Sequence, residues 1–402
     1  MVSSGVQAAT ATSSATAAAV VELAAELERI TTCPWTLMEV CGGQTHAIVR
    51  WGLDQLLPQG MRLLHGPGCP VCVTPAATID AALELARRPE VILCSYGDML
   101  RVPGSDPVGG EDLLGVRAGG GDVRLLTSPL QALELARNHP RRQVVFLAVG
   151  FETTAPATAL LARQALALGL ANLSLLIAHV RVAPAMAAIL EGGHHRVQGF
   201  LAAGHVAAVT GTAELEQLVQ RRRLPVVVSG FEPQDLMRGL LACVRQLEAG
   251  EARLQNAYGA VVRPQGNPPA RWLLAEVFEP CDRNWRGLGL LAGGGLALRR
   301  PYQDLDALKR FALPVRIQAS ASPGVWSSAM AVDRADGPAA SAPLADSGQQ
   351  PDGACIAGAV LRGVARPRDC PAFAASCTPD HPLGAPMVSS EGACAAYYRY
   401  RR

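Results

Sequence analysis

Apolar runs without polar alternation recur along the middle of the chain, and each is followed by a helical pattern. "MRLLHG" (61–66) precedes "TPAATIDAALELARR", and "EVILCSYG" (90–97) precedes "SPLQALELARNHP". "QVVFLAVG" (143–150) leads into "TAPATALLARQALALG", "LSLLIAHV" (173–180) into "APAMAAILEGG", and "LPVVVSG" (224–230) into "PQDLMRGLLACVRQLEAG". A strand apolar at every position is buried on both faces. Strand–helix repetition of this kind requires parallel sheets covered by helices. The predicted fold class is therefore α/β, with two domains of parallel sheet flanked by helices, and beyond them a small irregular C-terminal domain.

The expected organisation is a disordered tail over residues 1–25 and a first α/β domain over 26–130. A second α/β domain over 131–260 follows, then a connecting segment (261–318) packing back on both. Residues 319–353, rich in Ala, Ser, Pro, Gly and Asp, read as a flexible linker, and 354–402 as a cluster domain. The N-terminus lacks a basic region ahead of an apolar core, so no secretory leader is expected. A membrane span needs roughly 20 apolar residues, and the stretch from Ala165 to Ala178 is broken by Asn172 and Ser174. A soluble, cytoplasmic chain is expected. A net charge of +2 and 4% aromatics argue against nucleic-acid binding. No phosphate-binding loop or serine elbow is present, which excludes the corresponding kinase and hydrolase chemistry.

Ligand-bearing loops in such sheets lie at the carboxyl ends of strands. "HGPGCPVC", "SYGDMLRVPG", "VGFETTAP" and "VSGFEP" each directly follow an apolar run. With eleven cysteines in a chain of this class, metal or redox chemistry is a better expectation than a disulfide framework. Cys69 and Cys72 are spaced for a disulfide or a shared metal, and amides at a helix start favour thiolates there. A zinc site would need a second Cys/His pair at matching spacing, and none lies nearby. Cys41 stands before Gly42-Gly43 in "MEVCGGQTHAIV". The glycines allow backbone to approach a ligand, and a soft thiolate with an imidazole nearby, His46, suits iron. His65, His179 and His205 follow apolar runs and either line the cleft or cap strands. Cys94 and Cys243 read as small core hydrophobes, and Cys33 and Cys281 lack a ligand-like neighbourhood.

The tail carries Cys355, Cys370, Cys377 and Cys394, at spacings of 15, 7 and 17 residues. Zinc sites pair their cysteines about two to four residues apart. The wide gaps favour a [4Fe–4S] cluster, and so small a domain needs a staple.

The stretches "PWTLMEVCGGQTHAI", "LLHGPGCPVCVTP", "YGDMLRVPGS", "VGFETTAP", "SGFEPQDLM", "NWRGLG" and "MVSSEGACAAYY" closely resemble the HypD family of [NiFe]-hydrogenase maturation factors. The resemblance implies a scaffold for assembling the Fe(CN)2CO group. It implies a HypC-type small chaperone that shares the iron and a HypE-type donor that delivers cyanide as a thiocarboxamide-derived group. It makes Cys41 the iron ligand, Cys69 and Cys72 a redox-active dithiol lining the same interdomain cleft, and the terminal [4Fe–4S] cluster their electron partner. Two positions depart from the family pattern: Ala357 and Pro386 stand where many members carry cysteine, which leaves four thiols, just enough for one cluster. Gln44 stands where many carry His. The competing reading is a free-standing disulfide reductase resembling ferredoxin–thioredoxin reductase, which leaves the Cys41-Gly-Gly segment without a role. A non-catalytic protein with structural zinc is a further alternative.

Overall fold

The computed structural model describes residues 2–105, 110–191, 196–313 and 355–401, with side chains from residue 16 onward. The expected linker, 319–353, lies outside the described residues. Among the described residues eleven strands form: β1 Thr36–Glu39, β2 Arg62–His65, β3 Val91–Ser95, β4 Val123–Leu125, β5 Gln143–Gly150 and β6 Leu173–His179, then β7 Gly199–Ala203, β8 Val226–Ser229, β9 Leu254–Asn256, β10 Phe278–Trp285 and β11 Gly289–Leu298. They make two wholly parallel sheets, ordered β2-β1-β7-β8-β9 and β4-β3-β5-β6, and one antiparallel ribbon, β10-β11.

Both faces of each sheet are covered, as continuously apolar strands require. Met38, Phe200 and Val228 enter one core, while Leu37, Leu201 and Val227 enter another on the opposite face. In the second sheet, Leu93, Val145 and Leu176 face one way and Ile92, Phe146 and Leu175 the other. Burying each such side chain contributes about 1.5–3 kcal/mol.

The boundary expected at residue 130 does not divide the sheets. The chain lays down β1 and β2, builds the whole second sheet, and then returns with β7 beside β1. The first α/β unit is therefore discontinuous, and the second is inserted into it. The physical reason is that parallel strands need only a crossover connection, and nothing limits that crossover to one helix. A second correction concerns the N-terminus. A single helix spans Val2–Ile30, including the segment expected as a disordered tail. The segment is alanine-rich and free of proline, so helix costs it little. The far end of this helix buries Val20 and Leu27 against Leu236 and Leu240 of the helix Pro233–Glu248.

The ribbon β10-β11 is pinned to the second sheet by Arg283, 1% exposed, whose guanidinium donates to the carbonyls of Ile177 (2.9 Å) and Leu296 (2.6 Å). The C-terminal segment forms short helices, Ala357–Leu361, Ala385–Val388 and Ala393–Tyr400, joined by irregular loops. Among the described residues no helix is long and apolar enough to cross a membrane.

Candidate functional site

Strand order reverses on either side of β1, with β2 on one flank and β7 on the other. Ligand sites in open parallel sheets form at such a switch point, beyond the carboxyl ends of the strands. Cys41 lies just past the end of β1, and His205 just past the end of β7. The Cys41 Sγ is 3.7 Å from the His205 Nδ1. Cys41 is 2% exposed and precedes the helix Gly42–Trp51. Amides of Gly43 and Gln44 point at its sulfur and favour thiolate, but burial outweighs them and pushes the thiol pKa far up. The Cys41 thiol is thus held neutral, and a metal taking this ligand would displace its proton. Burial lowers the His205 pKa, so that imidazole is neutral and has a lone pair to offer.

The loop carrying Cys69 is locked onto the loop carrying Cys41. The Gly42 N–H donates to the Gly68 carbonyl at 2.8 Å. A Cβ on Gly68 would lie 2.3 Å from the Cys41 nitrogen and 2.4 Å from its Cα. Cys69 and Cys72 form a disulfide across the short helix Pro70–Val73 and are 3% and 1% exposed. All three cysteines share one buried cluster with Phe151 and Val180, which directly follow β5 and β6 of the second sheet.

Beneath Cys41 runs a buried polar chain. Glu39, wholly buried, accepts the Cys41 N–H at 2.8 Å, the Thr45 hydroxyl, and the His65 ring at Nδ1 (2.8 Å). The His65 Nε2 meets the Tyr397 hydroxyl at 3.2 Å. Burial pushes the Tyr397 pKa up to about 12, so this hydroxyl stays protonated and donates. The chain ties the Cys41 loop to the helix Ala393–Tyr400, which carries Cys394.

His46 is not the imidazole at Cys41. Its ring bonds to the Ser390 carbonyl and the Tyr400 hydroxyl, both at 3.2 Å, and docks the C-terminal segment. Five residues along a helix turn the side chain well away from the starting face. His205 holds the place expected of His46; its sequence signal is that it ends "GFLAAGH", another apolar run. Gln44 braces strand ends, its amide nitrogen lying 3.2–3.4 Å from the carbonyls of Ala202, Ser229 and Gly230. His179 caps a strand: its ring bonds to the Gly150 carbonyl and the Thr158 hydroxyl, and burial lowers its pKa to about 4.

Cys355, Cys370, Cys377 and Cys394 line one small cavity. Burial raises the Cys394 pKa first, and the charges of the other three raise it further. Ala357 and Pro386 stand in the same wall. Zinc held at about 2.3 Å by four sulfurs needs them within roughly 3.8 Å of one another. Among the described residues no three His, Cys, Asp or Glu side chains converge that way on one ion. Four sulfur donors around a common cavity are the donor set that an iron–sulfur group takes. The segment between this cavity and the disulfide is short. Ala385 places its carbonyl 4.0 Å from the Cys72 sulfur, and Gly384, Pro386 and Met387 beside it line the four-thiol cavity.

The second sheet has its own switch point, between β3 and β5. Away from that point, beyond the ends of β5 and β6, Glu152 lines a separate cavity of about 500 Å³ with Arg181, Glu214 and Arg271. One Glu152 oxygen accepts the Val182 N–H at 3.0 Å; the other is sealed and unpartnered among the described residues. Burial raises this carboxyl from 4.5 to about 7. Between those values the native state holds a proton that the unfolded chain has lost, so stability falls as pH rises, by on the order of 3 kcal/mol. His179 pulls the opposite way over part of that window, equally in wild type and variant. Glu152→Gln is therefore expected to gain stability relative to wild type between about pH 5 and about pH 8. Denaturant unfolding across that range checks it, and a pH-independent difference would mean the carboxyl titrates normally.

A buried thiol at a switch point, a disulfide interlocked with it and a four-thiol cavity beyond define an α/β protein whose candidate site is built from cysteines. A sequence profile described as "HypD: Hydrogenase formation hypA family" matches residues 16–401, and the chain belongs to that family of hydrogenase maturation factors. It is 46% identical over 374 residues to the hydrogenase expression/formation protein HupD of Azotobacter chroococcum mcd 1, covering 92% of this chain and 90% of that one. It shares the same identity and coverage with the hydrogenase maturation factor HypD of Azotobacter vinelandii. With the Escherichia coli K12 factor it is 41% identical over 384 residues, 95% of this chain and 93% of that one.

Proposed function

We propose that this chain is the scaffold on which the Fe(CN)2CO group is assembled, in complex with a HypC-type chaperone and served by a HypE-type cyanide donor. The observation that carries the reading is the interlock of the Cys41 and Cys69 loops, with the four-thiol cavity one short segment away. The iron is substrate, and Cys41 is its soft ligand from this chain, with His205 alongside. Cyanide and CO make the iron electron-rich, which favours a thiolate over a hard oxygen donor.

A dehydrated thiocarboxamide is a thiocyanate, R–S–C≡N. Releasing cyanide from it takes two electrons and one proton and leaves R–SH. The Cys69 and Cys72 thiols supply both electrons on closing to the disulfide and release two protons, one of which the departing thiol takes. The four cysteines would hold a [4Fe–4S] cluster, which delivers electrons singly. Re-opening the disulfide consumes two electrons and two protons. Burial of the disulfide beneath Ala385 keeps bulk thiols away from it. Such dithiol chemistry belongs in a reducing compartment, the cytoplasm.

The test is anaerobic purification of the chain with its HypC-type partner, followed by infrared and Mössbauer spectra. Cyanide and CO stretches on a low-spin iron, beside an iron–sulfur signal, are the expected result. An iron–sulfur signal with disulfide-reducing activity and no such stretches would make the chain a reductase. Stoichiometric zinc without iron would exclude both.

A further inference from the structure

Arg286 sits in the turn joining β10 to β11, in "NWRGLG". It grips the backbone that follows Cys72. Its main-chain N–H donates to the Val73 carbonyl at 2.8 Å, and its Nε–H to the Thr74 carbonyl at 2.9 Å. The guanidinium end is enclosed: its Nη2 is sealed from solvent and has no hydrogen-bond partner among the described residues. The charges acting on it are those of Cys355 and Asp80. On the far side the turn packs against the four-thiol domain. A Cβ on Gly287 would lie 2.8 Å from the Gly358 Cα, and Arg362 donates to the Gly287 carbonyl at 2.7 Å. The turn is thus wedged between the two sulfur groups, and the Nη2 of its cation meets neither solvent nor a carboxylate partner among the described residues. Burial lowers the Arg286 pKa to about 10, which leaves it charged at neutral pH. An enclosed guanidinium without an ion-pair partner is costly, and four clustered thiolates are the anion that would offset it.

We propose that Arg286 is the fixed counter-charge of the four-cysteine centre, favouring its reduced form while tethering the disulfide loop beside it. The inference rests on the reading that Cys355, Cys370, Cys377 and Cys394 hold a [4Fe–4S] cluster. One-electron reduction adds one negative charge to such a centre. A fixed cation nearby stabilises the reduced state more than the oxidised one, and net charge and burial are among the factors that set cluster potentials. Arg286 touches no reacting atom; it is a positioning residue that acts through field and through the tether.

Wild type, Arg286→Met, Arg286→Lys and Asp80→Asn, each purified anaerobically, are titrated with dithionite while the reduced cluster is followed by electron paramagnetic resonance. Arg286→Met is expected to lower the reduced-to-oxidised ratio at fixed potential by about tenfold, a shift of ~59 mV to more negative values for a one-electron couple. Arg286→Lys, which keeps the charge and loses the planar fork, is expected to recover most of that shift. Asp80→Asn removes the neighbouring anion and is expected to move the midpoint the other way, which tests the field even if Arg286→Met fails to fold. An unchanged midpoint in a cluster-bearing Arg286→Met protein overturns the proposal, since a mere brace would leave the potential alone. So does Arg286→Lys shifting as far as Arg286→Met, or Asp80→Asn leaving the midpoint where it was. A wild-type chain that binds no iron–sulfur centre overturns this proposal and the reading beneath it together.

Discussion

Replacing Cys41 with Ala is expected to abolish the iron-bound cyanide and CO stretches of the purified complex while leaving the iron–sulfur signal and the Cys69–Cys72 disulfide in place. The substitution is clean because Cys41 contributes to the fold mainly through its backbone. Its N–H bonds to Glu39, and its carbonyl accepts the Thr45 N–H at 2.9 Å. Alanine keeps both. Only the buried sulfur is lost, at a cost of about 1 kcal/mol, so the protein stays folded and the measurement reads ligand chemistry.

Cys69 and Cys72 are paired with each other, and Cys243 and Cys94 lie in separate cores. His205→Ala should leave the thiol in place and weaken iron retention by about 10–100-fold, the usual cost of losing a supporting group at a metal site. Loading should also tighten as pH rises, because the buried thiol must give up its proton to bind. Stretches that persist undiminished in Cys41→Ala would remove the iron assignment altogether.

Much of this arrangement was readable from the chain because burial leaves a compositional mark. The runs 61–66, 90–97, 143–150, 173–180 and 224–230 hold β2, β3, β5, β6 and β8, since a strand covered on both faces is mostly apolar. The loop after β2 holds Cys69 and Cys72, and the loop after β1 holds Cys41, because the carboxyl ends of parallel strands are where backbone turns outward and side chains meet.

The spatial pairing of strands was not readable in that way. That β7 returns beside β1 is a long-range fact, and no local residue pattern encodes which strand is whose neighbour. The ribbon β10-β11 was also hidden. Pro280 interrupts β10, and Gly293, Gly294 and Gly295 dilute β11, so neither strand has the β-branched composition that signals one. His46 was drawn to Cys41 by nearness in sequence. His205, 164 positions away, reaches it because the two strand ends are adjacent. Arg286 lay inside the family-like stretch "NWRGLG", but nothing local assigned it a role, because an arginine in a glycine turn is most often solvated.

Gly68→Ala is expected to separate the two loops and to eliminate iron binding nearly as completely as loss of Cys41 itself. The glycine is required by proximity alone: its backbone is not in the left-handed region, so φ places no demand on it. An added methyl would sit 2.3, 2.4 and 2.5 Å from the Cys41 N, Cα and C atoms, far inside van der Waals contact. These are backbone atoms at a strand end, so no rotamer change relieves the clash. The loop is held from behind as well, by the Gly42 N–H on its carbonyl and by its own N–H on the Gly66 carbonyl, both at 2.8 Å.

Relief therefore requires breaking that bond to Gly42 and moving the Cys69 turn off the Cys41 turn. A destabilisation of about 3 kcal/mol or more is expected. The disulfide should survive, since Cys69 and Cys72 are paired within one turn that can move as a unit. Gly259→Ala serves as the control: its nearest neighbour would be 4.0 Å away and its φ is ordinary, so it should fall within about 0.5 kcal/mol of wild type. Chemical unfolding together with the infrared bands decides the matter. A Gly68→Ala protein with wild-type stability and wild-type bands would mean that the two loops are not pressed together in solution. Thiol and disulfide would then have no structural reason to act on the same iron.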